Sequence, residues 1–404
     1  MRLLFATDDL VRAGRSFSGF PLLLNDDCWP LEPAQSFLWD VLTAAGSVCS
    51  KLTWEHYGRW LYDFFAFLDA NHLRWDEPPK PIGLGVVARY RDWSLGQLKL
   101  KPTTVNQRLG LVIRFYEWAK SQGHIDHVPF AYKDIRIGKP AGLLAHTDAG
   151  GRVVSKADVK VREHMSPPRF LTDDQVRACR GAKLGDSQRL LFDLMVRVGL
   201  RSCEARTFPQ GYVFNPHLRK DLRPGQMLRV DLNPADMDLK YDKPRSVDIP
   251  WSLMEDLNAY AVHRRNGRRQ RGVVDCTALI LNEHGNAYTR TGVVAVMKSI
   301  EAKVGFHVRA HMLRHTYGTY TLRALRNSKT FGGEPLLYVR DRMGHSDVQT
   351  TAIYLHLINQ LEAQLVLAHE DHVDRLFADA DAMNKPNTSA SPVIALTNQS
   401  SGDN

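Results

Sequence analysis

Three short clusters in the second half of the chain carry side chains suited to phosphate chemistry. They are Gly199-Leu200-Arg201-Ser202-Cys203-Glu204, His311-Met312-Leu313-Arg314-His315-Thr316, and Gly344-His345-Ser346 with Thr350-Thr351-Ala352-Ile353-Tyr354 just after it. Arginine presents a planar fork of donors that matches phosphate oxygens. His311 and Arg314 stand three apart on an expected helix and share one face. Tyrosine, with an ordinary pKa of about 10, needs help to lose its proton at neutral pH before it can act as a nucleophile. Each residue also has a plainer reading. Arg201 pairs with Glu204 at a surface, His311 and His315 form a helical pair, and Tyr354 is a half-buried aromatic. A metal on His311 and His315 is disfavoured, because the intervening residues lack the glutamate of H-E-x-x-H and set an arginine beside the cation.

The elements that must position these clusters are mainly helical. Thr172 reads as a helix N-cap with Asp173 and Asp174 in the first turn, and Leu190, Leu191, Leu194, Met195 and Val198 form a stripe closed by Gly199. Met227–Val230 and Ser246–Ile249 alternate as strands, with a turn over Asp238–Pro244. Helices return from Val293 to about Phe377. Ahead of these, Tyr57, Leu61, Phe64, Phe65 and Leu68 recur at helical steps behind an expected N-cap at Thr53. Val105, Leu109, Val112, Ile113 and Tyr116 do the same over Thr103–Lys120, with Arg108 and Arg114 off the stripe. These helices suit either a small core with a solvated basic face or a DNA-binding surface.

The bulk numbers fit this picture. A chain of 404 residues has room for two or three domains, and 44% hydrophobic with 24% charged residues is an ordinary globular balance. A net charge of +9 favours a polyanionic partner. The five cysteines are scattered with no C-x-x-C pair, which argues against a zinc ribbon or a disulfide framework and suits a reducing cytosol. No apolar run is long enough to span a bilayer, and no signal peptide is read.

Taken in order, the clusters resemble the tyrosine recombinase (phage integrase) family, which includes the Xer, Cre and lambda integrase proteins. Its pattern is an arginine after Gly-Leu, a lysine in a β-turn, His-x-x-Arg, Gly-His, and a tyrosine nine positions past that histidine. Arg201, His311-x-x-Arg314, Gly344-His345 and Tyr354 follow that order, and the step from His345 to Tyr354 is nine. Asp238–Val247 resembles the family's hairpin segment, where a lysine precedes K-x-R-x-V. That alignment selects Lys240, with Lys243 as the alternative, and Tyr241 replaces the usual glycine. Longer loops near Pro216–Pro224 and Ser328–Pro335 account for wider spacings. Thr103–Leu109 and Phe115–Ala119 look like the last helix of the family's core-binding domain.

The resemblance implies a mainly α protein with a small β-sheet (α+β). Its expected parts are an irregular extension at 1–35, a helical, SAM-like DNA-binding domain at 36–132, a linker at 133–168, a catalytic domain at 169–383 and a disordered tail at 384–404. It implies that Arg201 and Arg314 grip the scissile phosphate, and that Lys240 protonates the leaving 5′ oxygen. His311 assists proton transfer at the tyrosine hydroxyl, His345 hydrogen-bonds the phosphate, and Tyr354 becomes joined to the 3′ phosphate. Glu204 orients Arg201 or its helix. One phosphodiester replaces another, so no nucleotide cofactor is required, and cations serve where other phosphoryl-transfer enzymes use metal. Double-stranded DNA with specific sites is the expected partner, acted on by a homo-tetramer in the cytoplasm at the nucleoid, with no membrane. Arg108, Arg114 and the basic run containing Arg264, Arg265, Arg268 and Arg269 are expected to meet DNA backbone, or to form solvated surface. The stripe Ile358, Leu361, Leu365, Ala368, Leu376 and Phe377 packs on its own domain or exchanges with a neighbouring subunit. Rival readings are a type IB topoisomerase-like enzyme and a catalytically silent DNA-binding regulator; the intact residue set speaks against the second.

Overall fold

The computed structural model describes residues 1–44, 50–78, 83–136, 153–163, 167–272, 276–348, 350–359 and 361. The chain divides into two compact units, Met1–Met165 and Ser166–Asn404.

In the first unit, β1 (Arg2–Phe5) pairs antiparallel with β4 (Pro21–Leu24), and a tight hairpin of β2 (Val11–Arg12) and β3 (Arg15–Ser16) lies between them. Four helices follow: α1 (Ala34–Trp39), α2 (Lys51–Ala70), α3 (Val86–Gly96) and α4 (Pro102–Ser121). The stripe expected on α4 is buried along its length, from Val105 to Tyr116. α2 begins earlier than expected. Ser50, not Thr53, is its cap, and the Ser50 hydroxyl accepts the Thr53 backbone N–H.

Residues 1–35, expected to be irregular, belong to this unit's core. Phe17, Phe20 and Leu23 are buried with the α2 and α4 stripes. The Phe17 ring lies 4.9 Å from that of Trp39, and the Phe20 ring lies 5.5 Å from that of Trp54. Strands of two to four residues are too short to show a period, and their pairing joins residues some twenty positions apart. Part of the expected linker is also ordered. β5 (Tyr132–Arg136) and β6 (Val153–Ala157) form an antiparallel ribbon, and Ala157 and Val159 enter the core. Ala141–Gly142, Gly150–Gly151 and the tail from residue 384 lie outside the described residues.

The second unit carries α5 (Asp173–Gly181), α6 (Asp186–Arg197), α7 (Ser202–Thr207), β7 (Met227–Leu232), β8 (Arg245–Pro250), α8 (Trp251–Tyr260), α9 (Asn266–Arg269), α10 (Arg290–Val304), α11 (Ala310–Asn327) and α12 (Pro335–Met343). Residues 350–359 are also helical. Thr172 caps α5 in a reciprocal box with Gln175. Gly199 ends α6 at φ +73°, and a Cβ there would stand 2.3 Å from the Tyr317 ring, so only glycine fits. β7 and β8 pair in antiparallel register from Met227↔Pro250 to Leu232↔Arg245, with Leu228, Val230 and Leu232 facing the core. The fold is thus mainly helical with small antiparallel sheets. Among the described residues no helix is long and apolar enough to cross a membrane.

A core role for the N-terminal segment has a direct consequence. Phe20→Ala removes a fully buried ring and is expected to destabilise the first unit by about 3–5 kcal/mol. Urea unfolding followed by tryptophan fluorescence reads this; an unchanged midpoint would return residues 1–35 to the status of an extension.

Candidate active site

Glu204 lies in the first turn of α7 with no exposure. The Arg201 backbone N–H donates to it at 2.8 Å and Arg201 Nη1 at 2.9 Å. From the start of β8, Arg245 donates Nη1 at 2.9 Å and Nη2 at 2.6 Å. Burial alone would raise this carboxyl. Hydrogen bonds from Arg245 and the charges of Arg245, Arg314 and Arg201 instead hold it below its ordinary value, so it is an anion. Arg201 Nη2 continues to the Gly344 carbonyl at 3.1 Å.

Arg314, on α11, is 2% exposed and donates to the carbonyls of Gly199 and Met343. Burial, reinforced by Arg201, pulls its pKa down to about 9, which leaves it a cation at neutral pH. Lys240 opens the turn between β7 and β8, where Tyr241 and Asp242 adopt φ of +63° and +50°. Such backbone costs a non-glycine residue about 1–2 kcal/mol. Tyr241 therefore holds the conformation that the usual glycine would hold freely. Lys240 and Lys243 both line a cleft of about 530 Å³ together with Arg201, Arg245 and His345. His345 follows Gly344, the left-handed cap of α12 at φ +62°, and its Nδ1 lies 2.9 Å from the Thr351 hydroxyl.

Tyr354 is 1% exposed and shares an apolar cluster with Tyr317, Met343, Leu357 and Ile358. Its hydroxyl lies 3.2 Å from His315 Nδ1, and its ring stacks with His345 at 6.2 Å. Gly318 makes room for it, since a Cβ there would come within 2.7 Å of the ring. Burial pushes the Tyr354 pKa up to about 12 against the pull of Arg314 and Arg201. Burial, with His311 and Arg314 nearby, pushes His315 down to about 3. At neutral pH the phenol therefore keeps its proton and the imidazole is uncharged, and the two share one hydrogen bond whose direction follows the His315 tautomer. His311 stands apart from the hydroxyl. Its ring meets His315 at 4.2 Å, and it lines a separate hollow with Arg290, Lys298 and Arg309. In this structure the imidazole at the Tyr354 hydroxyl is that of His315, with His311 one turn away on the same helix.

Several of the cations expected at DNA make hydrogen bonds or ion pairs within their own unit. Arg108 pairs with Asp63 at 2.5 Å. Arg265 is 6% exposed and donates to the carbonyls of Ala278 and Cys276. Arg268 donates to the Leu281 carbonyl at 3.1 Å, and Arg114 to the Tyr57 hydroxyl at 2.7 Å. Arg264 is exposed, 3.5 Å from Asp186, and Arg269 lies at the end of α9. Ile358 and Leu361 pack on their own unit; Leu365, Ala368, Leu376 and Phe377 lie outside the described residues.

Residues 226–360 match the phage integrase family. The tyrosine recombinase XerD of Lacticaseibacillus casei is 34% identical over 261 residues, covering 64% of this chain and 74% of that protein. The chain belongs to the tyrosine recombinase family. It is accordingly a tyrosine-type site-specific recombinase. Transposase A from transposon Tn554 of Staphylococcus aureus is 25% identical over 261 residues, covering 64% of this recombinase and 67% of the transposase. The crystal structure of XerH site-specific recombinase bound to palindromic difH substrate shares the fold, with a TM-score of 0.52 and 17% identity over 83% of this chain and 89% of that one.

Two residues central to this recombinase's geometry lie outside the expected catalytic set. The sequence signal for His315 is its place one turn from His311, and that for Arg245 is its place in the K-x-R-x-V run.

The two low histidine pKa values set a pH dependence. His315 and His345 are each lowered from 6.5 to about 3 on folding, chiefly by burial. Below the unfolded value the unfolded chain takes up protons that the folded chain refuses. Stability present above pH 6.5 is therefore lost as pH falls toward 3. The urea midpoint of the second unit should drop across that window, and His345→Asn should flatten the drop. A wild-type midpoint that is level across the same window would contradict these environments.

Proposed function

We propose that this recombinase cuts and rejoins double-stranded DNA through a 3′-phosphotyrosyl link at Tyr354. The observation that carries the reading is one tyrosine hydroxyl, bonded to an uncharged imidazole, beside a cationic cleft. Arg201, Arg229, Lys240, Lys243, Arg245 and Arg342 line that cleft against a single acid, Asp341. A preorganised cationic wall favours the extra negative charge that builds on phosphorus during displacement.

In the forward step the Tyr354 segment leaves its apolar cluster, and the Tyr354 oxygen attacks phosphorus and passes its proton to an imidazole of α11, His311 or His315. The bond to the 5′ oxygen breaks, and Lys240, or Lys243 from the same cleft, protonates that oxygen. A freed 5′ hydroxyl from a partner strand reverses the step, so bond energy is retained. Arg201 and His345 engage the non-bridging oxygens. Arg314 backs them with positive charge and reaches phosphate once its carbonyl partners are released. A hydroxyl that is 1% exposed cannot meet a phosphate, so the segment around residue 354 turns outward first.

The helical first unit holds the flanking duplex, with the exposed Arg264 of the second unit among the backbone contacts. Four copies act on two sites, at the nucleoid. The names of the relatives, a XerD recombinase and a Tn554 transposase, support exchange at defined sites of a mobile element.

A suicide duplex, nicked beside the scissile bond and drawn from DNA flanking the gene's own locus, tests this. Wild type should yield a detergent-stable adduct, Tyr354→Phe none, and Arg201→Ala should slow its formation by about 10²–10³-fold. An adduct that persists in Tyr354→Phe moves the nucleophile elsewhere.

A further inference from the structure

Arg245 is given no bond to phosphate in the steps above, yet its contacts join the segments that carry Arg201, Lys240 and His345. It sits five residues past Lys240, with its side chain 8% exposed. Both Nη atoms donate to Glu204, 41 positions away, and Nε donates at 3.1 Å to the Arg342 carbonyl, 97 positions away. Its Cδ lies where a Cβ on Gly344 would be, only 2.8 Å off, so the turn bearing His345 rests on the arginine stem.

We infer that Arg245 is a positioning residue: it locks Arg201, the Lys240 turn and the Gly344-His345 turn into one frame before DNA arrives. The inference rests on the Tyr354 reading. The argument turns on how Glu204 is shared. Left with Arg201 alone, the carboxylate would draw that guanidinium into a closed, neutral pair. The two-pronged donation from Arg245 fills one acceptor site on each of its two oxygens. Arg201 then gives it a single side-chain N–H and sends Nη2 to Gly344, on the cleft wall. Two guanidiniums against one carboxylate leave a net positive charge facing the cleft. A lysine at 245 offers one compact donor head and cannot span both Glu204 oxygens and the Arg342 carbonyl at once.

Full-length Arg245→Met and Arg245→Lys are compared with wild type and Tyr354→Phe on the suicide duplex above. Single-turnover adduct formation is measured beside DNA affinity and a thermal melt. The expected result is folded variants whose affinity is within about threefold of wild type but whose adduct rate is down about tenfold or more, as loss of an oriented donor gives. Guanidinium at a non-denaturing concentration should restore part of the rate to Arg245→Met. A wild-type rate in Arg245→Lys, or a rate loss matched by the loss of affinity, would overturn the inference, as would failure of Arg245→Lys to fold. Absence of any wild-type adduct removes the Tyr354 reading and this inference with it. A wild-type adduct with unimpaired Arg245 variants removes this inference alone.

Discussion

A carboxylate with no access to water, Glu204, is the constraint on which the second unit is built. Stripping a carboxylate of its hydration costs several kcal/mol, and the loss is offset only where good geometry and additional hydrogen bonds serve its remaining lone pairs. Here the compensation arrives from Arg201 beside it and from Arg245 on β8, while the same arginines reach on to Gly344 and Arg342 near the end of α12. Three segments that are distant in sequence must therefore meet before the charge is satisfied. The interaction that makes the fold specific is also the one that sets out the cationic cleft.

Burial works differently on Tyr354. Tyr354 is stored in the apolar cluster of Tyr317, Met343 and Leu357, where its ring adds to the core and its proton is held more tightly than in water. His315 lies against its hydroxyl and is kept uncharged there, so it shares a hydrogen bond with the phenol and is not a competing cation. A ring buried this way contributes to the stability of the unit. Gly318 and Gly199 belong to the same arrangement: each admits a tyrosine ring against backbone that a Cβ would block.

The arginines show how poorly charge alone reports position. Arg108 and Arg265 lie in sequences that look like basic surface, yet each closes a local structure, one on Asp63 and the other on the carbonyls of Ala278 and Cys276. A guanidinium can meet several carbonyl or carboxylate oxygens at once, so a partly buried arginine often serves packing. The basic face left to the solvent is narrower than the run His263–Arg271 suggests.

What the sequence determined by itself is the set of reacting side-chain types and their order, together with most of the helices around them. Arg201, His345 and Tyr354 stand at spacings that local geometry preserves: a glycine-ended helix before Arg201, a glycine-capped helix before His345, and a helix carrying Tyr354. The α4 stripe and the β7–β8 alternation were legible for the same reason, since periods of 3.6 and 2 are written in neighbouring residues. Only the tertiary structure decided which imidazole meets the tyrosine, because His311 and His315 lie on one helix and packing against the Tyr354 segment alone distinguishes them. It also decided that Phe17, Phe20 and Leu23 are core, that Arg108 and Arg265 face inward, and that Arg245 and Glu204 share a buried pair of hydrogen bonds. Each of these depends on contacts between residues far apart in the chain, whose partners are fixed by closure of the fold and leave no periodic trace in the sequence.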